Sequence, residues 1–238
     1  MNFRKFSSIF IIFAVVLTIA CGARSDETSP EMVQDMLKLR GYKFTETEFF
    51  RAVTLEDAQA VRAFLQGGMN PNAKNEKGET ALIYAIQNKD PKIVKVLLEK
   101  ADVNLQDDAG NSAIHLAVKN DKDEIFDWLL EKGADVNVGG AAGKTKNQTA
   151  LYAAVLRNRE DLARRLIEKG ANPNIADSGG AFPLSEAAAR AGANPAMVNT
   201  LLDAGANVNA QESNKGTALI YAASNKSIAP QTRAEIVL

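Results

Sequence analysis

One histidine, one cysteine and one glycine-rich run are the features of this 238-residue chain that invite a chemical reading. The run VGGAAGKT at 138–145 comes within one residue of G-x-x-x-x-G-K-[ST], in which backbone N–H groups and a lysine cradle phosphates. Val138 stands where the first glycine must be, and the pattern also requires a preceding parallel strand and an immediate helix. His115 has no second histidine to share a metal with, which removes a multi-histidine zinc site and any Ser–His couple elsewhere in the chain. DVNLQDD at 102–108 hints at a calcium loop, but that loop needs a central Gly and a Glu at its twelfth position. Acid pairs such as Asp123-Glu124 read as solvated helix faces. No constellation for an enzyme survives, and no cofactor, metal or small-molecule substrate is expected.

The elements that would carry these residues are repeated. NPN at 70–72, ADVN at 101–104, GADVN at 133–137, GANPN at 170–174 and GANVN at 205–209 end in Asn72, Asn104, Asn137, Asn174 and Asn209. In step with them come TALIYA at 80–85, SAIHLA at 112–117, TALYAA at 149–154 and TALIYA at 217–222. A period of about 33 residues means that each unit is one supersecondary element unable to bury its own apolar face, so the units must stack. Ala81, Leu82, Ala85 and Ile86 fall at helical spacing, as do Ile93, Val94, Val96, Leu97 and Leu98, with NKDP at 88–91 breaking the two apart. Gly133, Gly170 and Gly205 supply the left-handed residue that ends each second helix. The second unit lacks that glycine, so Lys100 or Ala101 is expected to end its helix. The closing Asn of each unit is expected to tolerate positive φ and to bond its own turn.

These phrases resemble the ankyrin repeat, whose pattern is a T-P-L-H-x-A helix start, a second helix ending in L-L, then G-A-D-V-N. Six units align, with the Thr slot at Thr47, Thr80, Ser112, Thr149, Phe182 and Thr217. His115 alone keeps the family's His and Pro183 alone its Pro; the resemblance implies that His115 makes a structural hydrogen bond between neighbouring units. It also implies an all-α solenoid of about six helix–turn–helix units with protruding finger loops, preceded by a capping helix, over residues 30–238. Ser29 and Pro30 read as that helix's cap and first position, with Met32, Val33, Met36 and Leu37 along its inner side. The period is broken by GGAAGKTKNQ at 139–148, RAGANPA at 190–196 and NKSIAPQTRA at 225–234. Insertions in solenoids map to loops, often on the binding face. The sixth unit stops at AEIVL (234–238), before its paired leucines, and the chain is expected to continue beyond it.

The N-terminus has its own logic. Arg4 and Lys5 precede an apolar run from Ile9 to Ala20, interrupted only by Thr18. About 12 residues make roughly 18 Å of helix against a bilayer core of about 30 Å, which suits a secretory signal over 1–20 better than a span. Cys21 follows at once in LTIAC, which resembles the bacterial lipobox, with Thr18 where Leu is usual. That resemblance implies diacylation of Cys21 and a flexible tether over 21–29. Gly22 after the Cys resembles outer-membrane cargo facing the periplasm.

A net charge of −1 without a basic stripe lacks the footprint of a nucleic-acid binder. The expected partner is another protein. The resemblance implies binding through finger tips and first-helix surfaces, where polar residues vary between units: Glu76, Lys77, Glu79, Asp108, Asn111, Lys144, Lys146 and Gln148 on fingers, and Gln87, Asn88, Lys119, Asn120 and Arg157 on first helices. The leading expectation is a lipid-anchored interaction module of the bacterial cell envelope. A neutraliser of a toxin or secreted effector, and an anchored scaffold without a single partner, are the alternatives.

Overall fold

The computed structural model describes residues 29–88, 91–142, 145–190 and 194–224. The expected signal segment, the tether up to residue 28, Cys21, Lys144 and the end of the sixth unit from residue 225 lie outside them, as does the side chain of Lys146.

Twelve helices are found among the described residues. They are α1 (Pro30–Leu39), α2 (Glu46–Thr54), α3 (Ala58–Gln66), α4 (Ala81–Asn88), α5 (Pro91–Leu97), α6 (Ala113–Lys119), α7 (Asp123–Glu131), α8 (Ala150–Leu156), α9 (Glu160–Glu168), α10 (Pro183–Ala189), α11 (Pro195–Asp203) and α12 (Ala218–Ser224). The even-numbered helices α2 to α12 pack side by side as one layer, and α3 to α11 form the layer behind them. The fold is the expected helical solenoid, with one two-stranded hairpin, β1 (Gly140–Ala142) and β2 (Thr145–Gln148).

Four of the six first helices start where a threonine hydroxyl takes an unpaired N–H. Thr80 accepts from Ile83 at 3.2 Å, Thr149 from Tyr152 at 3.2 Å and Thr217 from Ile220 at 3.4 Å. The first unit differs from expectation. Its cap is Thr45, which accepts from Glu48 at 3.3 Å, two residues before Thr47. Phe49, Ala52 and Val53 nevertheless occupy the buried positions that Leu82, Ala85 and Ile86 occupy in the second unit. The core register therefore follows the repeat while the cap slips upstream. In the fifth unit Phe182 cannot cap, and Ser185 takes over by accepting from the Phe182 N–H at 3.0 Å.

The closing asparagines do not do what their turn chemistry suggested. None has positive φ. The turn is bonded by the residue two places earlier: Asp102 accepts from Asn104 and Asp135 from Asn137, each at 2.9 Å. The closing Asn reaches forward into the next repeat. Asn72 accepts the N–H of Asp102 at 2.9 Å, Asn104 that of Asp135 at 2.8 Å, Asn137 that of Asn172 at 2.8 Å and Asn174 that of Asn207 at 2.7 Å. A ladder of amides thus ties five successive units.

Gly133, Gly170 and Gly205 end their helices with φ of 77°, 87° and 83°. In the second unit neither Lys100 nor Ala101 turns left-handed. Lys100 instead sends its ammonium back to the Leu65 carbonyl at 3.1 Å, where it meets the negative end of α3.

Helix α1 shields the first repeat as expected, burying Val33 and Leu37 against α3. An aromatic knot that the repeat pattern did not announce completes this cap. The ring centroids of Tyr42, Phe44 and Phe49 lie 6.0, 5.7 and 5.7 Å from Phe64. Arg40 Nη1 bonds both carboxylate oxygens of Asp57 at 2.9 Å, and Asp57 caps α3. At the other end α12 exposes Leu219 and Ile220, whose counterparts Leu82 and Ile83 are buried.

Candidate protein-binding surface

Four fingers share one turn. Asn75, Asp107, Asp177 and Glu212 each receive the N–H three residues on, from Gly78, Gly110, Gly180 and Lys215, at 2.8 to 2.9 Å. The glycines have φ of 73°, 84° and 82°, and Lys215 takes the same left-handed region at 65°. The turn leaves the tip residues between its anchors in solvent, among them Glu76 and Lys77.

The fingers are also bonded side to side. Lys74 pairs with Asp108 at 2.6 Å, and the Asp108 N–H reaches the Gly78 carbonyl at 3.1 Å. Gln106 donates to the Gly139 carbonyl at 2.6 Å, Asn147 to that of Ala176 at 3.1 Å and Ser213 to that of Gly179 at 2.9 Å. The finger row is a continuous pre-organised edge.

The insertion at 139–148 folds as the β1–β2 hairpin inside this row. Gly140 pairs with Gln148 and Ala142 with Thr145, and the extra residue on β2 is absorbed as a bulge that includes Asn147 at φ 61°. Thr145 therefore opens a second antiparallel strand, and the next helix starts only at Ala150. Among the described residues of this segment, the strand–loop–helix that phosphate binding needs is not formed. Gln148, expected on the surface, is 5% exposed and donates to Asp177 at 3.4 Å. Its side chain braces the hairpin.

His115 lies beneath this hairpin. Its ring is fully buried, and a Cβ on Gly140 would overlap it. Among the described residues neither ring nitrogen has a hydrogen-bond partner, so the inter-repeat bond implied by the resemblance is not made there. The Ser112 hydroxyl, one turn away, is likewise buried and unbonded. Burial, with Lys119 adding to it, pushes the imidazole down to about 4, so it is neutral at physiological pH.

Several of the other expected contact residues are engaged in bonds of their own. Glu79 accepts from Asn75 Nδ2 at 2.9 Å, and Asn111 donates to Asp107 Oδ2 at 2.7 Å, so both serve the finger turn. Asp108 is exposed but tied to Lys74. Gln87, Asn88, Lys119, Asn120 and Arg157 all sit at the C-terminal ends of first helices, opposite the fingers. There Asn88 donates to the Tyr84 carbonyl at 2.7 Å, and Arg157 bonds the Lys119 carbonyl and pairs with Asp121 at 3.6 Å. The described residues among these thus make two strips at opposite ends of the slab, separated by a helix of about two turns, roughly 12 Å.

Beside the second strip is a cluster that the sequence reading passed over. Arg159 lies 3.5, 2.7 and 2.8 Å from Asp121, Asp123 and Asp161. Hydrogen bonds from this guanidinium hold the Asp161 carboxyl below its ordinary range.

A family model described as Ankyrin repeats (3 copies) matches residues 49–140, 101–177 and 138–212, together well over half of the chain. The chain belongs to the ankyrin-repeat family. Human Transient receptor potential cation channel subfamily A member 1 shares 34% identity with it over 85 residues, 35% of this chain. The match covers 8% of that protein, so this ankyrin-repeat chain corresponds to a small fraction of its length. An ankyrin repeat domain from Acinetobacter baumannii AYE (ABAYE2397) superposes with a TM-score of 0.70 at 27% identity, covering 81% of this chain and 97% of that one. A chain of the complex between the Bdellovibrio bacteriovorus predatory endopeptidase Bd0816 and immunity protein Bd3460 superposes at 0.64 and 26% identity, covering 79% and 95%. The ankyrin-repeat slab is in general a protein-interaction scaffold, and no enzymatic family is indicated.

Proposed function

We propose that this protein is a lipid-anchored interaction module of the bacterial cell envelope, holding a partner protein against its finger row. The observation that carries this reading is the row itself: finger tips fixed by a shared turn and by bonds between neighbours, with Glu76 and Lys77 projecting from it. A pre-organised edge loses little entropy when a partner docks. The envelope location rests on the apolar run and LTIAC at the N-terminus, with Cys21 as the acylated residue, outer-membrane placement and a periplasmic face.

A second reading has support of its own. The likeness to a chain of an endopeptidase–immunity protein complex favours a partner that is a toxic or secreted enzyme, neutralised by this chain.

Tagged protein is purified from envelopes with its co-eluting partner, then compared with a Glu76→Ala/Lys77→Ala variant. Glu79 and Gln148 are left intact, because both brace the fingers. The variant is expected to lose the partner at least tenfold with an unchanged melting temperature. Equal capture by both proteins would move the binding face elsewhere. Protection of cells from a co-produced envelope hydrolase, lost in the same variant, would distinguish a neutraliser from a general scaffold.

A further inference from the structure

Between the first and second repeats a groove of about 210 Å³ opens at the helix-turn end of the slab, away from the fingers. Its floor is apolar, with Val53 and Ile93 at 4% and 1% exposure. One wall is the half-buried Tyr84, whose hydroxyl lies 3.2 Å from that of Thr54. Asn88 at the rim is already committed to the Tyr84 carbonyl. The lining is set before anything enters.

Glu56 stands at the rim with its side chain in solvent, and among the described residues its carboxylate has no ion-pair or hydrogen-bonding partner. Its backbone is left-handed, with φ of 58°. The equivalent turns of the third and fourth repeats place Asp121 at 52° and Asn158 at 53°, residue types that adopt this region far more readily. A glutamate here holds a long carboxylate over the groove against its own backbone preference, and such outliers gather at ligand clamps.

The third repeat shows what a turn acid does when a guanidinium is at hand. Asp121 is engaged by Arg157 at 3.6 Å and by Arg159 at 3.5 Å, both from the following repeat. In the second repeat the residues aligned with those arginines are Asn88 and Asp90. The acid is kept and its arginines are missing.

We propose that this groove receives an arginine side chain from the partner protein, with the Glu56 carboxylate taking the guanidinium. The methylene stem lies along Val53 and Ile93, and the planar head covers the Tyr84 ring while bonding Glu56 in bidentate fashion. Arginine suits the site better than lysine, because both the stacked and the forked contact need a planar head. The proposal rests on the chain being a protein-interaction module, and it adds an anchor point at the opposite end from the fingers.

The test is a titration of the 15N-labelled full chain, held in detergent, with Nα-acetyl-L-arginine amide. The matching citrulline amide, which has the same shape without the charge, is titrated in parallel. Amide shifts confined to residues 53–57 and 84–88, saturating in the millimolar range, are expected for a single anchoring side chain. Citrulline amide, and arginine amide against Glu56→Gln, should bind at least tenfold more weakly. Equal shifts with citrulline, equal binding by Glu56→Gln, shifts scattered over the surface, or none up to about 50 mM would each overturn the proposal. No partner is needed in this assay, so its failure is distinguishable from a failure of finger-row capture.

Discussion

The side-chain oxygen of Asn137 accepts the backbone N–H of Asn172 at 2.8 Å, and its amide donates to the Gly170 carbonyl at 3.1 Å. One side chain thus satisfies two backbone groups of the next repeat. Each such bond contributes about 0.5 to 1.5 kcal/mol net, so Asn137→Ala should cost about 1 to 3 kcal/mol. Among the described residues the side chain of Asn209 bonds nothing, and in this 238-residue chain Asn209→Ala should stay within about 0.5 kcal/mol. Urea denaturation of both variants decides, and equal losses would show that the ladder bonds carry no stability.

The buried imidazole makes stability depend on pH. His115 titrates near 4 when folded and about 6.5 when unfolded, so between these values the unfolded chain binds the extra proton. Stability should be unaffected above about pH 6.5 and fall as pH drops toward 4, by up to about 1.4 kcal/mol per unit at the steepest. Carboxylates titrate in part of this window, so the reading is the difference between wild type and His115→Leu. Parallel curves for the two proteins would remove His115 as the cause.

Gly140 and His115 share one space. Gly140→Ala would put a methyl group into the ring and should destabilise by about 1 to 3 kcal/mol, as overpacking does. In a His115→Ala background the same change should cost less than half as much. A double-mutant cycle reads the coupling, and additive losses would mean that the hairpin shifts aside.

Two left-handed residues are ill suited to their places. Lys215 occupies the finger position where Gly78, Gly110 and Gly180 sit, and Glu56 a turn where Asp or Asn serves elsewhere. Lys215→Gly and Glu56→Asn should each stabilise by about 0.5 to 1 kcal/mol, since a left-handed Cβ costs about 1 to 2. Glu56→Asn should at the same time lose arginine amide binding. A fall in the urea midpoint for both variants would show that neither backbone is strained.

Acylation at Cys21 is the fifth expectation. Labelled palmitate should enter the wild-type chain and not Cys21→Ser, which should accumulate with its first twenty residues uncleaved. Equal labelling of the two would end the lipoprotein reading.

Much of this architecture is legible in one dimension because a repeat states its own packing several times over. Leu82, Ile114, Leu151 and Leu184 recur at one phase and are buried at one depth, so helix type, order and core face follow from periodicity alone. Lys77 and Glu76 could be placed on exposed tips for the same reason. Positions that the repeat leaves free are different, because their roles depend on what lies one repeat away. Gln148 looked like a surface amide and is a brace, since the hairpin folds back over it. The closing asparagines looked like turn formers, and the bonds they make are to N–H groups about 30 residues on, which no local pattern encodes. Phe64 became the centre of an aromatic knot only when α1 and the segment behind it docked. The groove beside Glu56 is likewise a product of stacking: its acid, its tyrosine and its floor come from adjacent units. Periodic burial is a property of each unit's own helices and so is written locally. Charge partners, caps and grooves arise where two units meet, and only the stacked chain brings those atoms within a few ångströms.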